Sequence, residues 1–407
     1  MNPNDHQQPP RGSPAAWGIA VLRWAQGGLI AACLAALVVA CGGGVGSGGT
    51  GGFASGPISG FGSVIVNAVR FDDTLAVVVD GDGATRTRED LRLGMTVDVD
   101  SGAITTTLTG QTASAHRIAF DSALRGSVTL VDKGNSAFNL LGQRVRVDAT
   151  TVFDERLVNA LNGLAVGSML EVYAVFDAAS GSYRATRVEP ASTSASLLLR
   201  GPIAQLDATA KTLRVGTTSY AYGTATGVPA DLAAGQFVRL GLATDGEASW
   251  RVLAFGTALR SLPDAEEAKL EGLISAFTSA TAFSINGRPV DASAASFPDG
   301  RSGLALGVRV EVEGSLRNGV LIAKEVEIQS DDDERDEGFE LEGSITSVAA
   351  DFSSFVLRGQ TVSTQRPGLI YSDGKASDLK VGVKVHVKGV LSADGQRIEA
   401  TRIEFDD

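Results

Sequence analysis

The sequence predicts an all-β protein of five tandem small β-barrel modules, and three regularities carry that reading. A glycine beside a small or β-branched residue recurs as Gly56-Pro57-Ile58, Gly126-Ser127-Val128, Gly201-Pro202-Ile203, Gly272-Leu273-Ile274 and Gly343-Ser344-Ile345, at separations of 70, 75, 71 and 71 residues. Each is followed by Leu-x-x-Gly and then apolar residues in alternation: Leu91/Gly94/Val97/Val99, Leu164/Gly167/Leu170/Val172, Leu232/Gly235/Val238/Leu240, Leu304/Gly307/Val310/Val312 and Leu379/Gly382/Val385/Val387. Period-two alternation marks a strand with one buried face. Between the two signals lies a hairpin centre, at Gly142, Gly216, Asn286-Gly287 and Gly359, with Asn67-Ala68 in the first copy. Asn-Gly between strands is a strong hairpin signal, because a type I′ turn needs positive φ at both central residues.

Ahead of the repeats, residues 1–40 read as a lipoprotein signal peptide: Arg11 and Arg23 come first, then the apolar run Leu29 to Val39, then the small Ala40. That run is shorter than the roughly 20 apolar residues that span a bilayer. Val38-Val39-Ala40-Cys41 resembles the bacterial lipobox, so Cys41 is the expected lipidation site and tethers the chain to its membrane. Several acyl chains anchor firmly where one does not. Residues 41–54 follow as the lipidated Cys and a Gly-rich linker of the flexible type. Gly42 stands where an Asp would mark inner-membrane retention, which points to the outer membrane, facing periplasm or surface.

The modules are placed at 55–121, 125–190, 200–256, 271–329 and 342–407, with 330–341 as an acidic linker. A closing strand ends four of them, at Ala115 to Phe120, Ala185 to Glu189, Ala323 to Ile328 and Ala400 to Phe405; the third ends at Trp250 to Phe255. About five short strands in so few residues favour closure into an OB-like or SH3-like barrel, which removes exposed edges. Such a unit buries only about 60% of its unfolded surface. Contacts between neighbours are therefore expected to help, and the expected shape is beads on a semi-flexible string, either separate or packed in pairs.

One family has such repeats. Gly60-Phe61-Gly62-Ser63-Val64-Ile65-Val66-Asn67-Ala68-Val69-Arg70-Phe71-Asp72, Asp90-Leu91-Arg92-Leu93-Gly94-Met95-Thr96-Val97 and Val147-Asp148-Ala149-Thr150-Thr151-Val152-Phe153 resemble the repeats of the domain-of-unknown-function 5666 family. The resemblance is most specific in the first two copies, looser in the fourth and fifth, and weak in the third. It implies tandem modules in a bacterial lipoprotein and brings no assigned activity.

Chemistry is sparse. The net charge of -12 disfavours phosphate backbones, so no nucleic-acid partner is expected. Tyr220 and Tyr222 share a strand face, which reads as packing rather than as a stacking platform. Cleavage before Cys41 removes Cys33 and leaves no thiol free for catalysis or zinc. His116 takes the slot of Thr186, Lys324 and Thr401 in sister copies, and His386 shares an outward face with Lys384 and Lys388, so both read as solvated strand residues. Gly44-Val45-Gly46-Ser47-Gly48-Gly49 matches a dinucleotide fingerprint in letters only, since no strand precedes it and no helix follows. No G-x-S-x-G elbow occurs. Asp80-Gly81-Asp82-Gly83-Ala84 opens like a calcium loop but has Ala84 at the fifth position, so it reads as a turn. Asp331-Asp332-Asp333-Glu334, with Asp336 and Glu337, reads as a solvated linker run. No catalytic, cofactor or metal-binding residue is expected. The function read from sequence is that of a lipid-anchored envelope binding or scaffold module with a protein or polysaccharide partner; a carrier of a solute, polysaccharide or metal ion is the alternative, and an enzyme with a site between modules comes third. One deep cleft between modules would favour a ligand over a bare scaffold.

Overall fold

Every module closes through the same ring of strand pairings. A computed structural model describes residues 51–406 except 109, 245–248, 258–259 and 331–337; Cys41, the signal segment, most of the leash and the acidic run at 331–337 lie outside the described residues. The second barrel sets the pattern. Its strand one (Leu124–Asp132) pairs antiparallel with strand two (Ala137–Leu140), and two pairs with strand three (Gln143–Arg146). Three lies parallel to strand five (Ser182–Pro190), five is antiparallel to strand four (Met169–Asp177), and four returns to one. The order one-two-three-five-four-one is the OB-like one of the two expected forms.

The same ring is traced by Leu197–Asp207, Thr212–Val215, Thr218–Ala221, Phe237–Thr244 and Trp250–Gly256 in the third barrel. The fourth uses Ala265–Ser279, Ala282–Ile285, Arg288–Asp291, Arg309–Arg317 and Val320–Ile328. Phe339–Val348, Ser354–Leu357, Gln360–Ser363, Lys384–Leu391 and Ile398–Phe405 form the fifth. In the first, strand one comes in two pieces, Gly52–Pro57 and Gly60–Phe61, followed by Val64–Val66, Val69–Asp72, Thr96–Ser101 and Gly110–Phe120. Opening strands begin ahead of the glycines that mark them in the sequence.

The repeated letters have specific duties. Strand one must serve both sheets of its barrel, and it changes register just after Val128, Ile203, Ile274 and Ile345; a bulge there supplies the bend that closure needs. At the same point the first barrel breaks its strand outright. The glycine of Leu-x-x-Gly has φ of +77°, +89°, +87°, +81° and +89° at Gly94, Gly167, Gly235, Gly307 and Gly382, a region open to residues without a Cβ. Its N–H donates to the carbonyl of Ile58, Val128, Ile203, Ile274 or Ile345 at 2.8–2.9 Å, which sets strand four beside strand one. The opening glycine makes room for the hairpin: a Cβ on Gly56 would meet Asn67 Oδ1 at 2.3 Å, and one on Gly272 would meet Asn286 Nδ2 at 2.2 Å.

The string of separate beads does not form. Barrels two and three share one hydrophobic cluster, through Leu140, Tyr183, Leu199 and Tyr220 among others, and barrels one and five share another, through Phe61, Val97, Leu341 and Phe355. The third cluster belongs to barrel four and includes Phe53 from barrel one. The cause is strand one of the first barrel. Gly52–Ser55 runs parallel to Glu267–Leu270 of barrel four, and Gly60–Phe61 runs parallel to Glu340–Leu341 of barrel five. Edges left unpaired by small barrels are thus covered by sister copies. Barrel two joins barrel five through Phe153 N–H to the Gly395 carbonyl at 2.7 Å, and barrel one through Arg187 Nη1 to the Leu93 carbonyl at 3.2 Å. Among the described residues no helix is long and apolar enough to cross a membrane.

Candidate functional site: an arginine-lined cleft between barrels

Alternation on strand four of barrel one turns Val97 and Val99 inward and leaves Asp98 and Asp100 on the outer face. Each carboxylate meets an arginine from elsewhere in the chain. Arg288, which opens strand three of barrel four, donates from Nη2 to Asp98 at 2.8 Å and stacks over Phe53 at 5.5 Å. Arg260, between barrels three and four, grips Asp100 through both Nη atoms at 2.6 and 3.0 Å. Burial works to raise the Asp98 carboxyl, but Arg288, a Ser55 hydrogen bond and Arg260 outweigh it and hold the group below the usual range.

Above this wall opens a cleft of about 340 Å³ whose lining comes from barrels one to four. Phe120, Phe176 and Phe237 supply apolar surface, and Asp80, Asp82, Asp98, Asp121, Arg117, Arg200, Arg260 and Arg288 supply charge. The Asp80–Gly83 turn reaches it from barrel one: Asp80 accepts from the Asp82 and Ala84 amides and from Arg86 Nε, while Asp82 takes Arg239 Nη2 of barrel three at 2.7 Å. Arg239 also donates from Nε to Asp121 at 3.0 Å, with Arg200 at 3.6 Å from the same carboxylate. Desolvation lowers Arg239, yet Asp121 and Asp82 raise it on balance.

Behind Asp121 lies a second cavity of about 240 Å³, richer in carboxylates. There Glu171 and Glu189 stand directly opposite each other on strands four and five of barrel two. Burial pushes the Glu171 carboxyl up, against Ser122 and Arg125.

The residues singled out in the sequence fall elsewhere. His116 is exposed on strand five of barrel one and lines neither cavity. His386 is not simply solvated: its Nε2 pairs with Glu340, which also takes Arg70 of barrel one, so the histidine sits in the junction of barrels one and five. Tyr220 and Tyr222 are buried, and Tyr220 donates to the Leu141 carbonyl at 2.6 Å while accepting from Gln143 Nε2 at 2.7 Å, which ties barrel three to barrel two. Asp80–Ala84 is a turn, and its place beside the cleft was not signalled by its motif. Cys41 lies outside the described residues. Among those residues no group of three or more His, Cys, Asp or Glu side chains is arranged to hold a metal ion. Sequence reasoning missed Arg117, Arg239, Arg260 and Arg288, since lone arginines on strands and linkers carry no local signature.

Among solved structures, Drosophila Unr CSD456 matches at 15% identity over 52% of this chain and 98% of its own length, with a TM-score of 0.15. A multidomain protein with nucleic acid binding domains from Streptococcus pneumoniae matches at 8% identity over 52% of this chain and 73% of its own, with a TM-score of 0.12. No curated protein matches. The family model described as "Domain of unknown function (DUF5666)" matches residues 125–189, 271–327 and 342–404, which are barrels two, four and five. Barrel one, whose Gly60–Asp72 stretch resembles the family's repeats, falls outside the matched segments, as does barrel three. Three of the chain's barrels, the second, fourth and fifth, are thus tandem copies of the domain of unknown function 5666.

Proposed function

We propose that the chain is a non-enzymatic binding protein of the bacterial cell envelope, held to its membrane by a lipid on Cys41 and binding a solute or saccharide in the cleft between its barrels. The observation that carries this reading is the cleft itself. Four barrels contribute to it, and ion pairs that cross barrel boundaries, Arg288 with Asp98 and Arg239 with Asp82, fix its walls. A bare scaffold has no need of such a cavity. Concave sites that mix aromatic surface with a few convergent polar groups are the usual form of small-molecule sites.

The non-enzymatic part is supported by what lines the cleft. No histidine does, and the carboxylates of Asp80, Asp82, Asp98 and Asp121 are each paired with an arginine rather than left free to act on a substrate. The lipid anchor is supported by the lipobox-like Val38-Val39-Ala40-Cys41 and the glycine-rich leash behind it.

Two experiments test the proposal. A thermal-shift panel of neutral and charged envelope solutes and oligosaccharides, run on the full chain and on a Thr257→Trp variant that fills the cleft mouth, should yield a stabilising solute whose effect the variant loses. Turnover of a solute, or no shift across the panel, counts against it. Cys41→Ala should abolish incorporation of labelled palmitate while Cys33→Ala leaves it unchanged; label persisting in the Cys41 variant would refute the anchor.

A further inference from the structure

We infer that the cleft takes a small monoanionic carboxylate, held by Arg117. The inference rests on the cleft being a ligand site and adds the chemical class of the ligand. Arg117 lies on strand five of barrel one, directly across from Asp100. In an ordinary sheet that cross-strand pair would neutralise itself. Here Asp100 is occupied by the two-point grip of Arg260. The lining carboxylates are engaged as well, Asp98 by Arg288 and Asp121 by Arg239 among them.

Arg117 is therefore left over. Among the described residues no hydrogen bond or ion pair reaches it, and its Nε is buried without an acceptor. A buried guanidinium Nε–H without an acceptor is costly, so its persistence at a cavity wall calls for an acceptor from outside the chain. The planar fork of an arginine matches a carboxylate in two-point geometry. Size and charge narrow the class. The cavity of about 340 Å³ is at the small end for ligand sites. Asp80, Asp82, Asp98 and Asp121 balance Arg117, Arg200, Arg260 and Arg288 in the lining, so no surplus of positive charge favours a dianion such as phosphate over a monoanion. Phenylalanine surface in the lining suits a ring, so a hydroxylated ring acid of the uronate kind is the best fit.

The test is calorimetric titration of the full chain with D-galacturonate, neutral D-galactose and inorganic phosphate, repeated on Arg117→Gln and Thr257→Trp. Galacturonate should bind the unaltered chain, with galactose and phosphate weaker by about tenfold or more. Arg117→Gln should lose that preference without lowering the thermal midpoint, because the arginine has no partner in the protein to lose. Galacturonate binding that survives Arg117→Gln, a preference for phosphate, or a midpoint that falls in the variant would each overturn the inference. If galactose binds equally well and only Thr257→Trp abolishes it, the anion is wrong and the cleft reading stands. If none of the three probes binds, the inference falls, and the solute panel decides the cleft separately.

Discussion

The first and second barrels close through the same ring of pairings, yet only the second is matched by the family model. The second keeps strand one whole over Leu124–Asp132 and bends it by a register shift after Val128. In the first barrel that strand breaks between Pro57 and Gly60, and each piece pairs with a different sister barrel. Its hairpin also departs, with Asn67 and Ala68 at φ of +50° and +58° where sister copies have a glycine at the second position or, in barrel three, at the first. The difference teaches that the ring of pairings survives a broken first strand, while barrel three, also unmatched, keeps that strand whole over Leu197–Asp207. Barrel one breaks its strand where the backbone pairs with two sister barrels.

If the first barrel is the centre, the largest effect should come from its charged wall. Arg288→Met strips the half-buried Asp98 carboxylate of its direct ion-pair partner, and should cost about 2 kcal/mol, read as a shift in the denaturant midpoint. Adding Asp98→Asn to it should recover most of the loss, and no recovery would show that the arginine acts through packing on Phe53 instead.

The junction of barrels one and five should give a smaller, pH-dependent effect. Burial raises the Glu340 carboxyl, but His386 and Arg70 outweigh it and hold the group down at about 2, against an ordinary 4.5. Lys388, across the strand, adds a further positive charge. A depressed carboxyl contributes stability that is complete above its unfolded value and is lost as pH falls through its folded one. Thermal midpoints should therefore fall with pH between 4.5 and about 2, and Glu340→Gln should flatten that limb. An unchanged acid limb in the variant would place the acid sensitivity elsewhere.

The hairpin gives a smaller effect with the opposite sign. Ala68 carries a Cβ in the left-handed region, so Ala68→Gly should raise stability by about 0.5 to 1 kcal/mol net of the added chain entropy. A lower midpoint would mean that the alanine methyl makes a contact worth more than its strain. The least effect is expected outside the hub: Arg366 and Glu399 pair on the exposed face of barrel five, and Arg366→Ala should change stability by under about 1 kcal/mol.

Much of the barrel was legible because it is written locally and repeatedly. The Leu-x-x-Gly glycines, the hairpin centres and the alternation after them each encode a backbone need that recurs, and their spacing pointed to the modules before any pairing was known. The assembly was not legible. Parallel pairing of Gly52–Ser55 with Glu267–Leu270 depends on edges more than 200 residues apart, and period-two patterns describe which face is buried, not which edge is paired. The cleft was hidden for the same reason. Asp98 and Asp100 read as ordinary outward residues of an alternating strand, and nothing near them in sequence announces Arg288 or Arg260.

The central claim, that barrel one is held between sister barrels by both edges of its first strand, is tested most directly by amide hydrogen exchange along Gly52–Pro57. In an isolated barrel, only the amides facing Thr96–Ser101 are bonded, so protection should alternate from residue to residue. In the assembled chain the intervening amides face Glu267–Leu270 and are bonded too. We predict protection at consecutive positions Phe53, Ala54 and Ser55. Alternating protection, with every second amide exchanging as fast as in an unstructured peptide, would contradict the account.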